Sequence, residues 1–307
     1  MPLRADKQHS PYCGFLNVLK PPGITSARVV ALVRRQLKGA KVGHAGTLDP
    51  EAAGVLPLMI GKAARLFDDL QNDQKAYLAE IAFGAATDTQ DAQGTVIQTG
   101  SNIPTEQALC ELLPTLVGEM QQLPPMYSAL KQNGKRLYDL AREGKTVERK
   151  PRAMTLFSVE MLGMMPHNGA RIAIHCSKGF YVRTLCHDIG QMLHCPAHMR
   201  FLLRTASGSF TLDTARTLEE MESAAQQDGL RQLLVPVETV LGHLPYVEVP
   251  EKLLRPFQNG VPLPIGAFPA LAHAAQNTRV QLRTGGKTVA IARVRNDTLK
   301  PATWLGK

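Results

Sequence analysis

The sequence predicts an α+β protein with a mixed, largely antiparallel sheet, followed by a small β-rich domain. Three observations carry this. Helical and strand-like periods interleave along the chain without the regular βαβ repeat that a parallel sheet needs. After residues 235–240 Pro and Gly become frequent, and short alternating runs at 279–283 and 288–295 replace helical periodicity. The 307 residues, 44% of them apolar, supply one or two ordinary cores. The expected organisation is an N-terminal tail over 1–12, a main domain over 13–245 and a β domain over 246–307.

Taken in order, residues 14–20 read as a short strand, which Pro21-Pro-Gly23 stops. Thr25 or Ser26 can cap a helix over 27–37, where Val29, Val30, Val33 and Leu37 fall on one face and Arg28, Arg34, Arg35 and Lys38 on the other, with Gly39 as its stop. Residues 43–54 hold Gly43, Gly46, Pro50 and Gly54 and read as a tightly turned loop before an apolar strand near Val55. A short helix is expected over 62–70, a buried strand over 76–83, a polar loop over 87–94 and a strand over 95–98. Residues 104–117 form a helix broken near Pro114. A short helix over 138–142 closes at Gly144, strands follow at 154–162 and 171–176, and a helix over 181–193 starts after Gly179.

Charge narrows the function. Lys plus Arg number 35 against 26 Asp plus Glu, a formal net charge of +9, which favours a polyanionic partner. Residues 1–65, 131–152 and 279–307 are each strongly basic, whereas 68–91 is acidic. Three separated basic blocks suit a long phosphate backbone, although any one of them is equally well a solvated face. No stretch approaches the ~18 apolar residues of a spanning helix, and residues 1–10 lack the apolar core of a secretory signal, so a soluble cytoplasmic protein is expected. Five cysteines without C-x-x-C spacing read as reduced thiols. Cys186, His187, His194, Cys195 and His198 cluster within thirteen residues but lack the usual zinc spacings, and no metal site is expected there.

For chemistry, the residues offer Asp49 on the Gly-rich loop with His44 before it, Tyr77, and Tyr181 with Arg183. An Asp before Pro is usually a turn former; the functional alternative is a carboxylate nucleophile or base on a rigid loop. A Tyr on a basic surface is a core or rim aromatic, or a platform for an unpaired base. Arg183 is a surface charge or the partner that keeps a buried carboxylate ionised. Gly43–Gly46 is not a Walker loop, because no G-K-[ST] follows.

The run Gly43-His-Ala-Gly-Thr-Leu-Asp-Pro50, continued by Gly54-Val-Leu56 and Gly61-Lys-Ala63, resembles the catalytic segment of the TruB family of tRNA pseudouridine synthases. Four more blocks agree in order: residues 16–26, Lys75-Ala-Tyr77, residues 125–131 with 134–138, and Gly179-Phe-Tyr-Val-Arg-Thr-Leu185. Residues 246–307 resemble, more weakly, a PUA-like domain. Phe180, where the family has a small residue, and Leu203, within a usually basic pair, depart from the pattern.

The resemblance implies the pseudouridine synthase fold and an isomerase that converts uridine to pseudouridine at position 55 in the T loop of tRNA, after flipping the base into a pocket. It implies catalytic roles for Asp49 as nucleophile or base, for Tyr77 stacking on the uracil, and for Arg183 pairing with Asp49. Lys20, His44, Tyr181 and Leu202 are implied in substrate binding. No cofactor or metal is implied, nor a membrane or an obligatory protein partner, and a monomer is expected. Two other readings are open on residues alone. One is a tRNA-binding folding helper without catalysis; the other is a carboxylate glycosidase, for which Glu51 is the only nearby second carboxylate.

Overall fold

The computed structural model describes residues 12–37, 40–70, 74–128, 130–132, 134–145, 147–227 and 229–306. Lys38, the stop at Gly39, residues 1–11 of the tail and parts of the 131–152 basic block lie outside the described residues. The chain opens on β1 (Gly14–Lys20), α1 (Ser26–Gln36), β2 (Val42–His44) and β3 (Ala53–Ile60). It then passes through a 3₁₀ segment, Gly61–Leu66, into α2 (Phe67–Leu70) and β4 (Lys75–Phe83). A ribbon of β5 (Ala85–Thr87) and β6 (Val96–Thr99) leads to α3 (Glu106–Leu112), its 3₁₀ extension Leu113–Leu116, and β7 (Gly118–Gln122). A second ribbon of β8 (Lys131–Gln132) and β9 (Lys135–Arg136) precedes α4 (Leu137–Arg142). β10 (Arg152–Met165) and β11 (Gly169–Cys176) form a long hairpin, followed by α5 (Val182–Met192), β12 (Ala197–Ser207), β13 (Phe210–Thr211), α6 (Leu218–Gln226) and α7 (Val237–Val240). The last part holds β14 (Tyr246–Glu248), α8 (Glu251–Gln258), β15 (Leu263–Pro264), β16 (Arg279–Thr284), β17 (Lys287–Arg295) and β18 (Thr298–Trp304).

Among the described residues the main sheet has nine strands in the order β1-β3-β12-β4-β11-β10-β7, with β2 on β3 and β13 on β12. Every pairing is antiparallel except that of β12 with β3, which gives the mixed, largely antiparallel sheet that the sequence predicts. On β4 the period of two buries Tyr77, Ala79 and Ile81 and leaves Ala76, Leu78 and Glu80 half-buried on the other face. The buried face packs against α1 and α5 through Val29, Val33, Leu185, Ile189 and their neighbours. Thr25 caps α1 by accepting from the Arg28 N–H at 3.1 Å, so the helix begins one residue earlier than its apolar spacing indicates.

The second sheet, β14-β16-β17-β18-β15, holds its own core around Phe257, Val280, Leu282 and Leu299. It does not stand apart. Ile291 and Leu305 share a cluster with Phe15, Val55, Met59 and Leu66 of the first part, and Arg65 Nη1 donates to the Trp304 carbonyl at 2.6 Å.

The structure also adds elements. β12 escapes the sequence pattern because bulges at Met199/Phe201 and Arg204/Ala206 shift its alternation twice within eleven residues. α8 carries Pro256 inside it and sits where Pro and Gly frequency argued against helix, but Phe257 anchors it in the second core. The predicted 43–54 loop is shorter, since β2 claims residues up to His44 and β3 begins at Ala53.

Candidate active site

The segment between β2 and β3 carries Asp49, and buried side chains hold it from three sides. Lys20, at the end of β1 and fully buried, donates from Nζ to the carbonyls of Pro21 at 2.9 Å, Pro50 at 2.8 Å and Ala52 at 2.6 Å. Its three donors are thereby all used. Burial pulls its ammonium down to about 8, against the opposing pull of Glu51 and Asp49. Ser26 Oγ, on the first residue of α1, accepts from Leu48 N–H at 2.9 Å and donates to Leu48 C=O at 3.0 Å. Arg204, on β12, donates from Nε to Val55 C=O at 2.7 Å, from Nη1 to Thr47 C=O at 3.4 Å and from Nη2 to Gly46 C=O at 3.3 Å. Gly54 has φ +113°, and a side chain there would run into the Arg204 backbone, which explains a glycine at this end of the motif.

Asp49 faces α5. Arg183, in the first turn of that helix, places Nη2 3.1 Å from Asp49 Oδ2 and Nη1 3.1 Å from Asp91 Oδ2, and Nη2 also donates to Tyr127 C=O at 2.8 Å. One guanidinium thus ties together three segments far apart in sequence. Asp91 is itself fixed, because its Oδ1 accepts from Thr89 Oγ1 at 2.7 Å and from Gln93 N–H at 3.0 Å. Thr184 Oγ1 donates to Gln90 Oε1 at 2.8 Å and keeps the 87–94 loop against α5. Burial raises Asp49 above the ordinary carboxylate value; Arg183 opposes this, Asp91 adds to it, and Lys20 opposes it. The Asp49 side chain is nevertheless 36% exposed, so a reactant can reach it.

Asp49 lies on a cleft of about 260 Å³ lined also by Lys75, Tyr77, Phe180, Tyr181, Arg183, Leu202 and Arg204. Tyr77 on β4 and Leu202 on β12 project from the same buried sheet face. Lys75 Nζ donates to Ser207 Oγ at 2.7 Å at the end of the same strand pair. The Tyr77 hydroxyl faces the Arg204 guanidinium across the strand pair; burial raises its pKa and the Arg204 charge opposes this, so the phenol is neutral near pH 7. Tyr181 caps α5, and its backbone exchanges hydrogen bonds with the Gln122 side chain at 2.9 and 3.2 Å. Burial raises its pKa too.

The structure therefore brings Asp49, Tyr77, Tyr181, Arg183 and Leu202 to one cleft. Lys20 lies behind the Asp49 loop as a clamp, with its amine on backbone carbonyls. His44 stands at the end of β2, half-buried, with Nδ1 buried and without a hydrogen-bond partner among the described residues; burial, then Arg204, lowers its pKa, so the ring is neutral at neutral pH. Sequence reasoning missed Asp91 and Arg204. Asp91 sits in an unremarkable polar loop, and Arg204 was one of several basic residues; only the strand pairing that sets Arg204 opposite Tyr77 marks it. Phe180 is buried in the main core, and Leu203 faces away from Leu202 and Arg204. Cys186 and Cys195 are core residues, His198 Nδ1 bonds Ala85 C=O at 2.8 Å, and among the described residues no group of three His, Cys, Asp or Glu side chains is placed to hold a metal ion.

Residues 34–182 match the family model of the TruB family pseudouridylate synthase N-terminal domain, and residues 183–242 match that of the tRNA pseudouridylate synthase B C-terminal domain. The chain belongs to the TruB family of pseudouridylate synthases. It is 45% identical over 290 residues to tRNA pseudouridine synthase B of Moorella thermoacetica, covering 93% of this chain and 95% of that protein. To its namesake in Heliobacterium modesticaldum it is 46% identical over 252 residues, 81% of each chain. A solved chain in a Cbf5–Nop10–Gar1 complex superposes with a TM-score of 0.72 at 26% identity, covering 99% of this chain and 87% of that one. The protein is accordingly an isomerase with the pseudouridine synthase fold. Asp49, Tyr77, Asp91 and Tyr181 fall in the first matched region, and Arg183, Leu202 and Arg204 in the second, so the cleft lies across the join of the two.

Proposed function

We propose that this enzyme isomerises uridine in tRNA, at position 55 of the T loop, with Asp49 as the nucleophile or base. The observation that carries the reading is the Asp49 carboxylate held by Arg183 at a cleft with Tyr77 and Leu202 in its walls. The reaction breaks the bond from ribose C1′ to uracil N1 and forms one from C1′ to C5; C5 gives up its proton and N1 gains one. Nothing is oxidised, so the chain needs only a base or nucleophile, a cradle for the freed uracil and a desolvated site. Tyr77 stacks on the flipped uracil, Tyr181 and Leu202 bound it, and the Arg183 charge favours the ionised form of Asp49 against its burial. His44, before the Asp49 loop, meets the loop of the RNA.

The basic blocks bind the phosphates and place the tRNA. Residues 246–307 form a PUA-like unit in this reading, with exposed Lys287, Arg295 and Lys300 available to the backbone. Substrate choice follows the relatives named tRNA pseudouridine synthase B, which match over 81% to 95% of their length, and the enzyme works in the cytoplasm as a stand-alone monomer.

The test is an unmodified tRNA transcript incubated with the enzyme, with pseudouridine located by carbodiimide labelling and primer extension. A single new stop at position 55, lost when that uridine is changed to cytidine, is the expected result. Modification elsewhere with position 55 untouched would refute the assignment.

A further inference from the structure

Arg204 is the largest fully buried side chain of the described residues, and none of them supplies a carboxylate to pair with it. A buried cation is retained against its desolvation cost only where hydrogen bonds compensate it. Its partners are specific. They are three carbonyls at either end of the Asp49 loop, those of Gly46, Thr47 and Val55, and the guanidinium so held faces Tyr77 in the wall of the same cleft. Strand pairing makes this possible, since Arg204 sits opposite Tyr77 where β12 runs beside β4, while β12 on its other edge pairs Arg204 with Gly54. Gly54 lets the two strands approach this closely, because a side chain there would run into the Arg204 backbone. The guanidinium is a rigid planar fork, so orienting it by the carbonyls also fixes the charge and the surface it presents to Tyr77.

We infer that Arg204 is a positioning residue that couples the Asp49 loop to Tyr77, holding the phenol and the carboxylate in one fixed relation across the cleft. The inference rests on the active-site role of Tyr77 proposed above. Arg204 itself need not touch the reacting atoms. It acts through Tyr77 on one side and the loop carbonyls on the other.

The test is a double-mutant cycle on single-turnover tritium release from C5-labelled tRNA, with wild type, Arg204→Gln, Tyr77→Phe and the double variant, tRNA affinity and circular dichroism being measured for each. Arg204→Gln is expected to slow release roughly 10- to 100-fold, with tRNA affinity within about 3-fold of wild type. The double variant is expected to be no more than about 3-fold slower than the slower single variant, because both remove the same link. Losses that multiply would overturn the coupling. A Tyr77→Phe enzyme at the wild-type rate would instead refute the role of Tyr77 in catalysis, and the inference with it. Should Arg204→Gln fail to fold, the same cycle with Arg204→Lys decides. The ammonium keeps the charge but lacks the fork, so a roughly 10-fold loss is expected and full activity would overturn the proposal.

Discussion

Arg183 Nη2 lies 3.1 Å from Asp49 Oδ2, although the two are 134 residues apart in the chain. The pair is not a free surface bridge, because the guanidinium is only 7% exposed and its other nitrogen is committed to Asp91. Two carboxylates on one buried guanidinium fix its orientation more firmly than either would alone. Arg183→Lys keeps a charge but cannot reach Asp49, Asp91 and the Tyr127 carbonyl together. It is expected to lose about 100-fold in single-turnover rate, with tRNA affinity little changed. Asp91→Asn is expected to lose roughly 10-fold or more by releasing one arm of the fork. Rates measured at saturating enzyme would check both.

The pH dependence follows from burial at Asp49. Its pKa in the fold is above 3.8, so the carboxylate is lost on acidification earlier than in a free chain, and activity falls with pH on a limb lying above that value. Arg183 is the largest influence opposing the rise, so Arg183→Gln moves the acid limb of its residual activity to higher pH. The stability sign is opposite to that of a stabilising carboxylate. Between the unfolded and folded values the native state binds more protons, and stability falls as pH rises through that window. Asp49→Asn therefore keeps or raises the melting temperature at pH 7 while activity is lost, as thermal melts of the two proteins would show.

Lys20 gives an alkaline counterpart. Its ammonium, pulled down to about 8, loses its proton above that pH, and with it part of the grip on the Pro21, Pro50 and Ala52 carbonyls. The turnover number is expected to decline above pH ~8. From about 8 up to 10.5 the unfolded chain binds more protons, so folding stability gains over the interval in which activity is lost. Lys20→Met is expected to cost about 2–4 kcal/mol by leaving buried carbonyls unpaired, and to lack the alkaline limb. Denaturant melts and a pH–rate profile measure the two effects.

How much of this was legible in the sequence depends on the range of the interaction. The α1 cap at Thr25, the loop carrying Asp49 and the strand carrying Tyr77 follow from local pattern, because capping, glycine turns and alternation are written within a few residues. The α+β class and the late β domain followed from the same signals. The family motif brought Arg183 to Asp49. Nothing local announced Asp91 or Arg204, whose meaning comes from contacts 92 residues away to Arg183 and 149 residues away to Val55. Lys20 shows the converse, since its motif implied a place at the substrate and its geometry gives it the backbone of the loop. β12 was hidden by its two bulges, which scramble the alternation that marks a strand.

The C-terminal sheet is expected to matter for folding as well as for RNA. Ile291 is fully buried in a cluster with Phe15, Val55 and Leu66, so Ile291→Ala should cost about 2–5 kcal/mol and lower the melting temperature by roughly 5–15 °C. At 25 °C its folded fraction should still modify tRNA. An unchanged melting temperature would show that the two parts are stable independently.

The most direct test of the catalytic reading is tritium release from tRNA labelled at uridine C5, comparing wild type with Asp49→Ala at saturating enzyme and with tRNA binding confirmed for both. The account predicts release by wild type alone, with the Asp49→Ala protein binding tRNA within a few-fold of wild type. Release at the wild-type rate from Asp49→Ala would contradict it.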